Sequence, residues 1–190
     1  MTSPPPRSAS ASGLGATLTQ LDVRVTRFVA AELPRPVLIQ SPLAALSLTA
    51  NYGVLWYAIA LLPWLFGEPQ PLWRALYVAI PVTLAELTGF LIKTVIKRPR
   101  PAVADPRLGG QIPVPWSKSF PSSHASMAVA GTFTVGTLYP HFLPALVALT
   151  VVLCFSRVYL GVHYAGDVLG GVVWGLLWGA GWVLLVGAPA

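Results

Sequence analysis

At 190 residues the chain is long enough for one domain, and with 55% hydrophobic and only 9% charged residues it lies far from the soluble norm of about 25% charged. Its apolar residues come in long runs, so a water-soluble globule is excluded in favour of a membrane-embedded chain. The formal net charge of +6 predicts an anionic partner, and for an embedded chain that means anionic lipid headgroups or phosphorylated lipid, with no nucleic acid.

The chain divides into three parts. Residues 1–13, MTSPPPRSASASG, are rich in Pro, Ser and Ala and lack the apolar stretch of a secretory signal; they read as a disordered tail. Residues 14–36 predict an amphipathic surface helix. Leu18, Leu21, Val25, Phe28 and Val29 share one helical face, Asp22, Arg24, Arg27 and Glu32 lie mostly elsewhere, and Pro34 and Pro36 close the segment. An ordinary packing helix is the competing reading. Residues 37–190 form the transmembrane domain.

Within that domain five apolar segments are expected to cross the bilayer, near 41–66, 72–96, 122–139, 142–160 and 168–187. The fold class is therefore all-α, a membrane helical bundle of about five spans plus an interfacial helix. Trp56, Trp64, Trp73 and Trp116 fall near the proposed ends, as an aromatic belt does. The last segment carries Trp174, Trp178 and Trp182 as one stripe and Gly171, Gly175 and Gly179 as a face of small residues. That glycine face suits close packing inside the bundle or, alternatively, a homodimer contact. The one long connection, 97–120, is expected to lack regular structure. The lone Cys154, inside an apolar run, has no intrachain partner.

Polar residues inside apolar segments are functional suspects, and here they gather at three places. Lys93 ends the second segment, and Arg100-Pro101 follows across six intervening residues. The helix should break before Pro99, so that the two cations can converge on an anion. Pro121-Ser122-Ser123-His124 opens the third segment. Free N–H groups at a helix start favour an anion, the serines add hydroxyls, and His124 can transfer a proton. Ser156-Arg157 ends the fourth segment, with His163 and Asp167 beyond it. If 163–167 is helical, the four-residue spacing puts the carboxylate beside the imidazole. Each place has a bland reading, namely a snorkelling anchor, a capped helix start, or a structural His–Asp pair. Alternating the segments across the bilayer brings all three to the same membrane face.

Taken together, Lys93 through Arg100-Pro101, Pro121-Ser122-Ser123-His124, and Ser156-Arg157 through His163 to Asp167 resemble the three motifs of the type 2 phosphatidic acid phosphatase superfamily. The resemblance covers the chain from about residue 40 to its end. It departs at Ser123, where the family usually has Gly, and family members commonly have six membrane helices. It implies a membrane lipid phosphatase in which His163 is the nucleophile that forms a phosphohistidine, Asp167 orients it and His124 is the proton donor and acceptor. It implies that Lys93, Arg100, Arg157, Ser122 and Ser123 hold the phosphate. No cofactor and no metal is expected, since the cations are side chains. Glu86, seven residues before Lys93, is read either as a support of the site or as a polar contact between helices. The candidate substrates are a polyprenyl phosphate or diphosphate, a polyprenyl-linked phosphosugar, phosphatidate and phosphatidylglycerophosphate. A lipid phosphotransferase and a non-enzymatic lipid transporter are the alternatives.

Basic residues set the expected orientation. Apart from the motif cations, Arg7, Arg24, Arg27, Arg35, Lys97, Arg98, Arg107 and Lys118 fall on the motif side and only Arg74 on the other. The positive-inside rule then turns the site toward the cytoplasm of a bacterial plasma membrane.

Overall fold

The computed structural model describes residues 13–109 and 112–188. The expected tail, 1–12 of it, lies outside the described residues. Helix α1 runs Leu14–Arg27 and continues as one wide π-helical turn, Phe28–Glu32. Residues 33–36 are extended, because Pro34 and Pro36 cannot donate to a helix ladder. Helix α2 spans Val37–Thr49, followed by a 3-10 turn Asn51–Gly53, α3 Val54–Ala60 and the short α4 Leu62–Leu65. The segment expected as one straight span is thus bent by 57°. The cause is local: Tyr52 and Gly53 both have positive φ, and a side chain at Gly53 would press on Tyr57 and Met127.

Helix α5, Pro71–Ile96, begins with proline at a position where its missing N–H costs nothing, and stops at Lys97 in left-handed geometry ahead of Pro99. The long connection contains a short helix α6, Pro101–Ala104, and a 3-10 turn, Pro106–Leu108, so the expectation of an unstructured loop is corrected. It is tied down by Ala102 N–H to the Gly161 carbonyl at 3.2 Å and Ser119 N–H to the Arg98 carbonyl at 2.9 Å. Helices α7 Ser123–Leu138, α8 Leu143–Tyr159 and α9 Ala165–Val186 complete the bundle.

Helix α7 is the central post, packed by α5, α8 and α9 and buried on nearly every side. Its small residues allow this. Cβ atoms built on Gly171, Gly175 and Gly179 would come within 2.5, 2.4 and 2.9 Å of α7. The glycine face is therefore occupied inside one chain, the close packing within the bundle that was its first reading: all three glycines are buried against α7. The tryptophan stripe turns to α5, where Trp174 and Trp178 both donate to Thr88 Oγ1 at 2.9 Å. Trp56 packs over Gly131, within a core shared with Val78, Val82 and Met127.

By length and apolarity three described helical stretches can cross a membrane, or four if the bent α2–α4 segment counts as one span. Helix α7, at 16 residues, is shorter than such a span but runs enclosed among the others. Large apolar side chains such as Leu91, Val95, Val151 and Leu184 face outward, which suits a lipid environment. Helix α1 is inverted relative to a soluble protein. Leu14, Leu18, Leu21 and Phe28 are exposed, whereas Thr26 is fully buried on the inner face.

Candidate active site

The ends of α5 and α8 and the starts of α7 and α9 meet at one end of the bundle. There a cavity of about 600 Å³ is lined by Lys93, Arg100, Ser123, His124, Arg157 and His163. Ser122 and Asp167 are buried immediately behind this lining. The eight residues picked from three distant stretches of sequence therefore share one place. Ser122 Oγ and Arg157 Nε are fully enclosed and, among the described residues, have no hydrogen-bond partner, an arrangement that calls for a polar ligand.

Arg100 is held as a planar fork. Its Nε donates to the Ser117 carbonyl at 2.8 Å and its Nη1 to the Val162 carbonyl at 2.8 Å. The same Nη1 lies 3.0 Å from His163 Nε2. A guanidinium can only donate, so Nε2 carries the lone pair and Nδ1 the proton. Nδ1 faces Asp167 Oδ2 at 3.5 Å. Burial first, and then the charges of Arg100, Arg157 and Lys93, hold the His163 imidazole neutral well below its ordinary range. The neutral ring thus presents Nε2 toward the cations.

The route by which Asp167 reaches His163 differs from the one expected. Residues 163–167 are not one helical turn, because α9 begins at Ala165 and His163 sits in the preceding turn. Asp167 occupies the first turn of α9 and caps it, with Oδ2 accepting from Tyr164 N–H at 2.8 Å and from the Ser119 hydroxyl. A carboxylate at a helix start is favoured by the free N–H groups there. The turn that aims His163 depends on Gly161, whose φ is +72° and where a Cβ would sit 1.8 Å from the Leu108 carbonyl oxygen.

His124 Nε2 lies 3.0 Å from the Ser47 carbonyl. A carbonyl only accepts, so Nε2 holds the proton and Nδ1 is the basic nitrogen. Ser47 also receives Arg157 Nη1 on its hydroxyl.

Several residues at this end carried no warning in the sequence. Ser47 lies in an apolar run. Ser119 lies in the long connection. Arg98, counted as an orientation cation, instead bridges Asp167 and Asp22, at 2.8 and 2.6 Å. Asp22 also accepts from Gly166 N–H at 2.7 Å, and Thr26 from Ala165 N–H at 3.0 Å, so α1 docks on the start of α9. The available signal was an acid, Asp22, on a helix with one apolar face. Glu86 lines the same cavity, and among the described residues its enclosed Oε2 has no hydrogen-bond partner. Among the described residues no three His, Cys, Asp or Glu side chains gather in a way that would hold a metal ion.

This geometry can bind a tetrahedral anion among three cations and present an unprotonated ring nitrogen to it. Comparison with known proteins points the same way. A family model described as the PAP2 superfamily matches residues 72–189. Undecaprenyl-diphosphatase BcrC of Bacillus subtilis (strain 168) is 35% identical over 121 residues, 63% of this chain and 62% of that protein. Decaprenylphosphoryl-5-phosphoribose phosphatase of Mycobacterium tuberculosis (strain CDC 1551 / Oshkosh) is 35% identical over 85 residues, 45% of this chain and 46% of that protein. The chain thus spans less than two thirds of the length of either relative. The crystal structure of Aquifex aeolicus LpxE superposes with a TM-score of 0.74 at 20% identity, over 86% of this chain and 95% of that one, a likeness of fold.

Proposed function

The chain belongs to the PAP2 superfamily, and from that membership and the geometry of its site we propose that this integral-membrane protein is a lipid phosphatase working through a phosphohistidine. The observation that supports this most strongly is the aim of His163: its unprotonated Nε2 lies beside Arg100 in a cavity that also holds Lys93, Arg157 and His124. In the proposed reaction Arg100 turns from Nε2 to a phosphate oxygen as substrate enters. Lys93, Arg157, Ser122 and the Ser123 N–H take the remaining oxygens, which uses the unpaired Ser122 Oγ and Arg157 Nε. His124 first takes a proton on Nδ1 from the incoming phosphate monoanion, its Nε2–H staying on the Ser47 carbonyl. His163 Nε2 then attacks phosphorus, the bond to the lipid oxygen breaks, and the Nδ1 proton of His124 passes to the leaving alkoxide or phosphate. Asp167 stabilises the Nδ1 proton as His163 gains positive charge. In the second step His124 Nδ1 takes a proton from water, the hydroxide attacks phosphorus, and phosphate leaves with His163 restored.

The substrate class is a phosphomonoester or diphosphate of a lipid. Both curated relatives act, by name, on polyprenyl carriers, which supports a polyprenyl-linked substrate. The site faces the cytoplasm in this proposal. Lys97 and Lys118 are exposed at the site end of the bundle, whereas Arg74 at the other end is paired with Glu68 at 3.6 Å. Phosphate release from a panel of lipid monophosphates and diphosphates, assayed with chelator present, tests the activity. Release from at least one lipid is expected, and none from any would refute it.

A further inference from the structure

Glu86 is an acid in the middle of α5, seven residues before Lys93, about two helical turns or roughly 10 Å deeper into the bilayer. An ionisable residue at such a depth needs a partner or a task. Among the described residues it makes no hydrogen bond or ion pair, and its Oε2 is fully enclosed. The neighbouring hydroxyls on α5 are engaged elsewhere: Thr83 bonds Tyr57 at 2.8 Å, and Thr88 receives Trp174 and Trp178. A contact between helices therefore does not account for it.

What Glu86 does line is the inner end of the cavity whose outer end holds Arg100, Arg157 and His163. Asn51 lines the same end, set there by the bend between α2 and α3. Tyr52 beside it lines the same cavity and is 74% exposed, so the cavity reaches the surface of the bundle at the bend. The cavity is bipolar along its length, cationic where the reacting phosphate binds and acidic, with an amide beside it, one headgroup further toward the bilayer. A carboxylate accepts hydrogen bonds from hydroxyls and repels a second phosphate.

We propose that Glu86 and Asn51 form a hydroxyl-recognition subsite, which makes the preferred substrate a phosphomonoester on a hydroxylated headgroup, a sugar or glycerol, and disfavours a lipid diphosphate. The proposal rests on the phosphatase reading above and narrows its substrate. In a diphosphate the group on the lipid side of the reacting phosphorus is another phosphate, which would meet the Glu86 charge. In a phosphosugar or phosphoglycerol lipid that position carries hydroxyl donors, which match the unpaired oxygens.

The test compares kcat/KM of the full chain in detergent on phosphatidylglycerophosphate and on farnesyl diphosphate. The variants are Glu86→Gln, which keeps the shape, Glu86→Ala, and Asn51→Ala. The wild type is expected to prefer the glycerol headgroup. Glu86→Ala should lower kcat/KM for it about tenfold, mainly through KM, as loss of a charge-assisted hydrogen bond does, and should raise that for the diphosphate. Glu86→Gln should raise only the diphosphate rate, and Asn51→Ala should lower only the glycerol rate. Equal changes on both substrates, or a wild type that prefers the diphosphate, overturn the subsite. A wild type that releases phosphate from neither overturns the subsite, and release from no lipid of the panel above refutes the phosphatase reading with it.

Discussion

Asp22 on the N-terminal helix and Asp167 behind the imidazole share a single guanidinium, that of Arg98, at 2.6 and 2.8 Å. They are 145 positions apart in sequence, and the bridge ties a helix whose apolar side chains are exposed to the carboxylate that faces His163. Asp167 is fully buried, so its charge depends on Arg98, the Ser119 hydroxyl and the Tyr164 N–H. Tyr164 also stacks under Arg98, its ring centroid 3.9 Å from the guanidinium carbon.

Arg98→Ala leaves Asp167 buried and short of its charge partner. A loss of about 3 kcal/mol in stability is expected, since removing one member of a buried pair strands the other, along with a fall in kcat of at least about tenfold. Arg98→Lys should recover stability but only part of kcat, because one ammonium cannot serve both carboxylates as a fork does. Thermal unfolding and phosphate release on the same preparations check both. An unchanged kcat in Arg98→Ala would detach the bridge from the chemistry.

Gly161→Ala forces a Cβ toward the Leu108 carbonyl at a backbone φ that L-residues avoid. The turn must then shift, and His163 two residues on shifts with it. A fall in kcat of about a hundredfold or more is expected from a displacement of about 1 Å. A Gly171→Ala variant, which crowds the α7–α9 contact, should chiefly lower stability. Measuring kcat against melting temperature for the two separates aim from packing.

The acid limb of kcat/KM should lie below the ordinary imidazole value of about 6.5, because burial and three neighbouring cations depress protonation of His163. The sign follows directly. A lowered pKa leaves the ring neutral, and nucleophilic, at a pH where a free histidine is already charged. Stability runs the other way: the unfolded chain protonates this residue first, so stability falls as pH drops through about 6.5. Arg100→Gln removes one of the three cations and should move the acid limb upward, although burial keeps it below the free value. A pH–rate profile of the free enzyme on a lipid monophosphate reads both.

A cysteine placed by Arg107→Cys, in a Cys154→Ser background, reports the membrane face. The Arg107 side chain is 78% exposed and sits on the connection that roofs the site. With the site toward the cytoplasm, an impermeant thiol reagent should leave intact cells unlabelled and label inverted vesicles. The reverse pattern would turn the site outward.

Much of this architecture is legible before any coordinates. The long apolar runs give the bundle, and the spacing of Lys93, Arg100, His124, Arg157, His163 and Asp167 brings them to one end of it. The rest depends on distance in the chain and on backbone detail. Arg98 looked like one more basic residue in a basic stretch, because Asp22 lies 76 positions away. Ser47 lay hidden in an apolar run, 110 positions from Arg157. The bend at Tyr52 and Gly53 was hidden because Tyr52 adopts a conformation that its residue type rarely takes. The spacing of His163 and Asp167 looked helical, yet their approach comes from a turn feeding a capped helix start.

The central claim is that His163 Nε2 takes the phosphoryl group, and the most direct measurement is phosphate release by His163→Ala on the best lipid phosphate of the wild type. The variant should fold, remain in the membrane, bind the lipid and release no phosphate above the uncatalysed rate. Phosphate release at the wild-type rate by the folded variant would contradict the mechanism.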